Sequence, residues 1–310
     1  MLNPHPRPVA AGLLGAMLVL AGGPSWSEPL VPTQEAKAEI RTQQVKPGLY
    51  VLAGGGGNVA VWSGPDGIVL VDDALAALTP QLLQAVARVA PGPVRFVINT
   101  HWHPDHTGGN EDLGKAGGVI VAHDNVRTRM SVPQFVEAYG LKVPAAARVG
   151  LPIVTFPDTV SLKLNGDRLE AEHVAAAHTD GDIILWWHEA NVVHVGDVFY
   201  KGAYPFVDLA SGGSVAGLVA AIEGVLSRAD VETVVIPGHG PVSNRAELAA
   251  YRDMVVAIGR RVRELVEQGK SLDEVLAARP AAEFDDRYGK GSMTADRFVP
   301  ILYQDLAARR

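Results

Sequence analysis

Short apolar segments alternate with glycine-rich turns through the first part of the chain. Three segments rich in β-forming residues are separated by the turn sequences GGGG and GPDG: Leu49–Ala53, Val59–Ser63 and Ile68–Val71. Short runs of this kind, bounded by glycine and proline, predict β-strands. The amphipathic pattern of Pro80–Val89 then predicts a helix, and the apolar run VRFVIN at Val94–Asn99 predicts a buried strand.

The alternation of strand and helix patterns continues to the C-terminus. Strands are predicted at Gly118–Ala122, through most of Ile153–Tyr200 with a hairpin turn at Asn165-Gly166, and at Val231–Ile236. Helices are predicted at His123–Met130, Ser214–Ser227, Arg245–Glu267, Ser271–Ala278 and Thr294–Ala308. Strands flanked by helices in both halves favour an α+β fold of stacked sheets with helices outside.

Residues 1–27 have the layout of a secretory signal. Val9–Gly23 is an uninterrupted run of apolar and small residues, and Ser25 and Ser27 offer small side chains where a signal peptidase cuts. The run is shorter than the roughly 20 residues that a membrane span needs. We therefore expect cleavage after Ser27, a periplasmic or secreted protein, and no membrane partner after signal removal. A polar lead-in, Glu28–Lys46, precedes the first predicted strand.

Composition and charge restrict the chemistry that the chain can use. Of its 310 residues 47% are hydrophobic, and its net charge is −7. A surface of that sign repels phosphate backbones, so nucleic acid is not an expected partner. The chain has no cysteine, so any metal must be held by histidine and carboxylate. No repeat, linker or low-complexity tract divides the sequence, so we expect one domain over residues 28–310.

The densest group of possible metal ligands lies in Asn99–Asn110, which reads NTHWHPDHTGGN. Three histidines and an aspartate form the pattern H-x-H-x-D-H directly after a predicted strand. Side chains two apart in an extended segment point the same way, so His101 and His103 can bind one metal. The proline that follows ends the strand. Asp105 and His106 then emerge from a turn, where they can face a second metal.

Three later positions each lie where a predicted strand gives way to a glycine-containing turn: His178 in AAHTDGD, Asp197 in HVGDVFY and His239 in IPGHGPV. In this order the motifs H-x-H-x-D-H, H-T-x-G-D, G-D and P-G-H-G resemble the metallo-β-lactamase superfamily of dinuclear zinc hydrolases. The resemblance covers about Gly48–Val256, with a helical extension to residue 310. It implies a four-layer αββα sandwich with the metals at one edge, between two β-sheets.

The resemblance also implies a ligand set for two zinc ions. One zinc would be held by His101, His103 and His178, the other by Asp105, His106 and His239, with Asp197 bridging both. A metal-bridging hydroxide formed near neutral pH would attack a carbonyl carbon, and Asp105 is a candidate proton shuttle. Asp72, in the LVDD stretch, would orient a ligand from behind, or else serve as a turn or cap residue. Manganese or iron would also suit these nitrogen and oxygen ligands.

Other histidines and aromatic residues give weaker indications of a role in the metal site or its pocket. Four histidines match no ligand motif and are expected to be structural or exposed: His123, His173, His188 and His194. Three aromatic residues after Asp197, and one inside the first motif, are candidates either for the pocket wall or for the core: Tyr200, Tyr204, Phe206 and Trp102. Nothing in Phe135–Pro157 or in the C-terminal tail predicts a particular ligand.

The function expected from the resemblance is hydrolysis of an ester, lactone, thioester or amide-type bond in a small molecule. An aspartate at position 197 is similar to glyoxalase-type thioesterases and lactonases, whereas the cysteine-using β-lactamases have cysteine there. Export argues against a glyoxalase role, because that thioester is cytosolic. The alternatives are β-lactam hydrolysis, a mononuclear iron oxygenase of the persulfide-oxidising kind, and a binding protein that holds metal without turnover.

Overall fold

The computed structural model describes residues 39–308. The predicted signal, residues 1–27, lies outside the described residues. The strands are β1 (Arg41–Lys46), β2 (Leu49–Ala53), β3 (Val59–Gly64), β4 (Gly67–Val71), β5 (Val94–Ile98), β6 (Val119–His123), β7 (Gln134–Val136), β8 (Leu141–Val143), β9 (Val154–Phe156), β10 (Thr159–Leu164), β11 (Asp167–His173), β12 (Ile183–Trp187), β13 (Val192–His194), β14 (Val234–Ile236) and β15 (Ser243–Asn244). The helices are α1 (Thr79–Val89), α2 (Pro104–Thr107), α3 (Asn110–Lys115), α4 (Asp124–Met130), α5 (Val215–Arg228), α6 (Arg245–Glu267), α7 (Leu272–Ala277), α8 (Asp285–Tyr288) and α9 (Ala295–Ala307).

Two large sheets and one small hairpin account for the described strands. The first sheet has the order β1-β2-β3-β4-β5-β6-β9, and the second has the order β10-β11-β12-β13-β14-β15. In the first sheet β4, β5, β6 and β9 run parallel to one another, and in the second β13 runs parallel to β14. Strands β7 and β8 form a separate two-stranded hairpin. Among residues 39–308 no helix is long and apolar enough to cross a membrane.

The hydrophobic core lies in three layers, which β12 illustrates. Its sequence IILWW is buried throughout. Successive side chains of a strand point to opposite faces, so Leu185 and Trp187 pack between the two sheets, while Ile184 and Trp186 pack towards the outer helices α5 and α6. On the first sheet, Leu70 packs outward with α1. The layers therefore follow the order helix, sheet, sheet, helix, and the predicted αββα sandwich is confirmed.

The predicted elements match the structure closely, although the short helices α2, α3 and α8 and the short strand β15 were not predicted. Strand β1 lies in the polar lead-in, where hydrogen bonding to β2 at the sheet edge, rather than an apolar pattern, forms the strand. The prediction of a strand from Val231 was wrong for its first three residues. There the Asp230 side chain accepts hydrogen bonds from the Glu232 backbone and the Thr233 hydroxyl, and this turn leaves Val231 84% exposed. The β7–β8 hairpin was not predicted.

Candidate metal centre

Parallel strand pairs bring the candidate ligands to one edge of the sandwich. Asp72 follows β4, and the segment 99–106 follows β5, the strand parallel to it. Asp197 follows β13 and His239 follows β14, the parallel pair of the other sheet. His178 lies in the loop between β11 and β12. Because parallel strands end at the same edge, residues far apart in sequence meet there.

The seven candidate ligands gather into two adjoining groups. Within each group, one ligand atom from every residue lies within 4.8 Å of the others. The first group is His101, His103, His178 and Asp197, and the second is Asp105, His106 and His239. The grouping is the one that the motif pattern implies, and it places the two groups side by side.

Asp197 lies between the two groups. Its Oδ2 is 3.7 Å from His101 Nε2 and 3.6 Å from His178 Nε2. Its Oδ1 is 3.2 Å from His106 Nε2 and 3.4 Å from His239 Nε2. One carboxylate therefore presents one oxygen to each group, which is the geometry that a bridging ligand requires.

The nitrogen and oxygen atoms of the two groups are better placed to bind metal ions than to hydrogen-bond with one another. His103 Nδ1 is 2.8 Å from His178 Nε2 and 3.1 Å from His101 Nε2. Three nitrogens bound to one tetrahedral zinc lie roughly 3.3 Å apart, given Zn–N bonds of about 2.0–2.1 Å. Asp197 Oδ1 is buried and has no hydrogen-bond partner among the described residues, despite two imidazoles nearby. A cation between these atoms would satisfy all of them.

The electrostatic environment differs between the two groups. Burial lowers the pKa of His101, with the His106 charge adding to the effect, and burial lowers the pKa of His178 to about 4. Burial opposes protonation of His239 too, but Asp197 and Asp105 raise its pKa to about 10. His101 and His178 are therefore neutral at pH 7 and ready to donate lone pairs, whereas His239 must release a proton before it can bind a metal.

The second group is also the more exposed of the two. The side chains of Asp105 and His239 are each 29% exposed, whereas those of His101 and His178 are at most 1% exposed. Solvent and small molecules therefore reach the site from the side of Asp105 and His239.

Asp72 contacts two of the histidine-bearing turns on the side opposite the Nε2 atoms. Its Oδ2 lies 2.8 Å from His106 Nδ1 and accepts a hydrogen bond from the Thr100 hydroxyl, also at 2.8 Å. Thr100 Oγ1 in turn lies 3.0 Å from His101 Nδ1. Because these contacts use the Nδ1 atoms, the Nε2 atoms of both histidines are left for metal. Asp72 makes them from a left-handed backbone conformation, with φ of 63°.

Sequence reasoning missed a second orienting carboxylate, Asp208. Its Oδ2 lies 3.1 Å from His103 Nε2 and accepts the Ser211 hydroxyl at 2.6 Å. Burial alone would raise the pKa of Asp208, but the hydrogen bond from His103 holds it below its ordinary value. His178 is oriented differently, by a hydrogen bond from its Nδ1 to the Phe206 carbonyl at 2.8 Å. Neither partner lies in a recognisable motif, so only the folded geometry identifies them.

The run of four glycines before β3 packs directly on the second group. A Cβ atom at Gly57 would lie 2.3 Å from the His106 ring, and one at Gly56 would lie 2.8 Å from Asp105 Cβ. Both contacts are closer than real side chains show. The GGGG segment is thus a close backbone approach to the candidate ligands as well as a turn.

The remaining histidines lie outside both groups. His123 stacks on His173 with ring centroids 3.7 Å apart, and His188 Nε2 lies 3.5 Å from Glu170. His194 is fully buried beside the centre, where burial lowers its pKa to about 4.

The aromatic candidates divide between the centre and the core. The Tyr200 ring stacks on His239 and its hydroxyl donates to Asp197, while Phe206 packs on His103. Trp102 is buried against His103 and donates to Ser211. Of the two alternatives, Tyr204 takes the core one, because it is buried against Phe298 and donates to the Ala281 carbonyl.

We predict that Asp208→Asn weakens zinc binding at the His103 group by about 10- to 100-fold, because a neutral amide replaces the carboxylate that orients His103. Competition with a chromophoric chelator measures the affinity. Asp253→Asn, on the exposed face of α6, is the matched control and should bind zinc as the unmodified protein does. Unchanged affinity in a folded Asp208→Asn protein would show that His103 needs no such partner.

Comparisons with known proteins identify the family of this chain. A family model described as the metallo-beta-lactamase superfamily matches residues 52–239. The metallo-beta-lactamase type 2 of Bacillus cereus is 27% identical over 199 residues, which are 64% of this chain and 72% of that protein. A hydroxyacylglutathione hydrolase of Erythrobacter litoralis is 36% identical over 110 residues, which are 35% of this chain and 36% of that protein.

Solved structures share the fold at low sequence identity. The sec-alkylsulfatase Pisa1 from Pseudomonas sp. has a TM-score of 0.64 at 18% identity, over 87% of this chain and 51% of that one. This chain thus spans about half the length of the alkylsulfatase. A metallo-beta-lactamase from Pontibacter korlensis has a TM-score of 0.57 at 18% identity, over 70% of this chain and 98% of that one. The chain belongs to the metallo-β-lactamase superfamily and is a metal-dependent hydrolase.

Proposed function

We propose that this protein binds two zinc ions in the paired site and hydrolyses an ester, lactone or thioester bond in a small molecule. The position of Asp197 carries the proposal, because each of its carboxylate oxygens faces one ligand group. When bound, two zinc ions would polarise the carbonyl of the substrate and supply hydroxide near neutral pH. His101, His103 and His178 would hold one ion, and Asp105, His106 and His239 the other.

Asp105 is suited to move a proton during the reaction. Burial alone would raise its pKa, but His106 and His239 lower it, so the carboxylate is ionised at neutral pH. Its Oδ2 lies 3.3 Å from His239 Nε2, on the exposed side of the centre. A group at this position can accept a proton from the attacking water and pass it to the leaving group.

The bridging carboxylate favours activated carbonyl substrates over β-lactams. Asp197 adds a negative charge between the two metal positions and lowers the net positive charge of the site. A β-lactam releases an anionic nitrogen, and a site of lower net positive charge stabilises that anion less. Relatives of both kinds match this chain, a metallo-beta-lactamase and a hydroxyacylglutathione hydrolase. The charge argument supports esters, lactones and thioesters, with β-lactam turnover weak or absent.

A mononuclear iron oxygenase is the less favoured alternative. It would need only part of the ligand set. Here Asp105, His106 and His239 form a second group of their own, and Asp72 orients His106 from behind. Both features support two ions.

We also propose that the protein is exported to the periplasm or secreted, on the strength of the apolar run Val9–Gly23 and the small residues after it. Its partner would then be a small-molecule substrate, with neither nucleic acid nor membrane bound after signal removal. Intact-mass measurement of protein recovered from the periplasm should show a chain beginning near Glu28. A recovered protein that still begins at Met1 would disprove removal of the signal.

We predict that Asp197→Ala lowers lactone or ester hydrolysis by more than about 100-fold. Loss of an orienting partner costs 10–100-fold, and loss of a direct ligand shared by two ions costs more. Steady-state kinetics of the zinc-loaded proteins on a lactone, an aryl ester and a carbapenem measure the effect. Asp253→Ala on the surface of α6 is the control and should keep the full rate.

Two outcomes would contradict the proposed function. Efficient carbapenem hydrolysis by the unmodified protein would overturn the substrate preference. Full lactone hydrolysis by Asp197→Ala would overturn the bridging role.

A further inference from the structure

A chain of aromatic contacts leads from the metal centre to the surface. The Phe206 ring stacks on His103 at 5.7 Å and meets His178 edge-on at 5.4 Å. The Tyr139 ring packs edge-to-face on Phe206 at 5.2 Å. Phe206 is only 4% exposed, whereas Tyr139 is 38% exposed. Tyr139 is therefore the solvent-exposed end of this series of ring contacts.

Tyr139 also lies within the electrostatic reach of the site. Burial raises the pKa of its phenol, and the carboxylates of Asp197 and Asp105 add to the rise. Its charge would likewise raise the pKa of Tyr200, whose hydroxyl donates to Asp197. Tyr139 therefore lies near the His103 and His178 group, which it reaches through Phe206, and its phenol stays neutral at ordinary pH.

The hairpin that carries Tyr139 belongs to neither large sheet. Strand β7 runs into a short 3-10 helix, Glu137–Tyr139, and Gly140 turns the chain back into β8 with a left-handed φ of 59°. A two-stranded hairpin is marginally stable alone. This one is anchored on one side by Val136, which is buried in the core. Leu141 and Val143 of β8 pack against the same core, and the tip at Tyr139 has a further anchor.

Arg297, from α9 in the C-terminal extension, supplies that anchor. Its guanidinium lies 4.7 Å above the centre of the Tyr139 ring. The same group donates hydrogen bonds to the Ala138 carbonyl on the hairpin and to the Ser292 carbonyl before α9. A planar fork stacked on a ring and bonded to two carbonyls fixes the ring in one orientation.

We propose that Tyr139 is the substrate-selecting wall of the site, that it favours substrates with an aromatic or other bulky apolar group beside the scissile bond, and that Arg297 holds it in position. The inference rests on the proposed hydrolase function and names its substrate class. An apolar group beside the metals would pack against the part of the Tyr139 ring that Arg297 and Phe206 leave exposed. A substrate with only a methyl group there would leave that part of the ring in water and gain nothing from it.

The first experiment compares nitrophenyl phenylacetate with nitrophenyl acetate as substrates. We expect the unmodified zinc-loaded protein to prefer phenylacetate in kcat/KM. Tyr139→Ala should lower that preference by about three- to tenfold, chiefly through KM, because one aromatic contact is lost. Tyr139→Phe should keep the preference, since the ring remains. Phe135→Ala, at an exposed aromatic residue of the same hairpin, is the control and should also keep it.

A matched pair of variants, Arg297→Gln and Arg261→Gln, tests the role of Arg297. Arg261 also lies over an aromatic ring, that of Phe284, and donates to the Pro280 carbonyl, but these partners lie outside the hairpin. Arg297→Gln should lower the preference for phenylacetate, and Arg261→Gln should leave it unchanged. Equal effects from the two variants would mean that Arg297 acts only through general stability, and would overturn its assignment.

A binding measurement separates failure of this inference from failure of the proposed function. Titration calorimetry with phenylacetate and acetate ions needs no turnover. Tighter binding of phenylacetate that is lost in Tyr139→Ala supports the wall even if no ester is hydrolysed. Equal binding of phenylacetate and acetate by the unmodified protein would overturn the proposed role of Tyr139, whether or not the protein hydrolyses esters. A loss of preference in Phe135→Ala as large as in Tyr139→Ala would also overturn the assignment to Tyr139.

Discussion

The structure depends on a buried cluster in which lone pairs face lone pairs. Imidazole nitrogens of His101, His103 and His178 approach within about 3 Å, and Asp197 inserts a carboxylate beside them with almost no exposure to water. Burying such groups without partners costs several kcal/mol per charge. A pair of cations would satisfy the whole cluster at once, and this is the physical basis on which we propose a two-metal site.

The fold supplies this cluster by positioning strand ends. The parallel pairs β4–β5 and β13–β14 terminate at one edge, and the turns that follow them carry the donors. Behind the donors, Asp72 and Asp208 bind the outward nitrogens of His106 and His103. Both carboxylates are buried, so each histidine is held in one tautomer and one orientation. The rigid sandwich therefore defines the metal positions, while the β7–β8 hairpin and the C-terminal extension contact each other through Tyr139 and Arg297 beside Phe206.

Much of this was predictable from sequence, for physical reasons. β2 and α6 have the bounds that their apolar patterns indicate, because both bury one continuous face or stripe. The candidate ligands lie in short motifs with characteristic spacing, so their chemistry is visible locally. Asp208 could not be identified from the sequence, because its partner His103 is distant in sequence and no motif joins them. The same holds for Tyr139, whose position depends on an arginine in the last helix.

We propose that Asp197 joins a pair of metal ions. Anomalous diffraction from crystals of the zinc-loaded protein, collected on both sides of the zinc absorption edge, would locate the ions. We expect two peaks about 3.5–4 Å apart, each about 2.0–2.2 Å from a different oxygen of Asp197. A single peak among His101, His103 and His178, with Asp105 and His239 bound to nothing, would contradict the proposal.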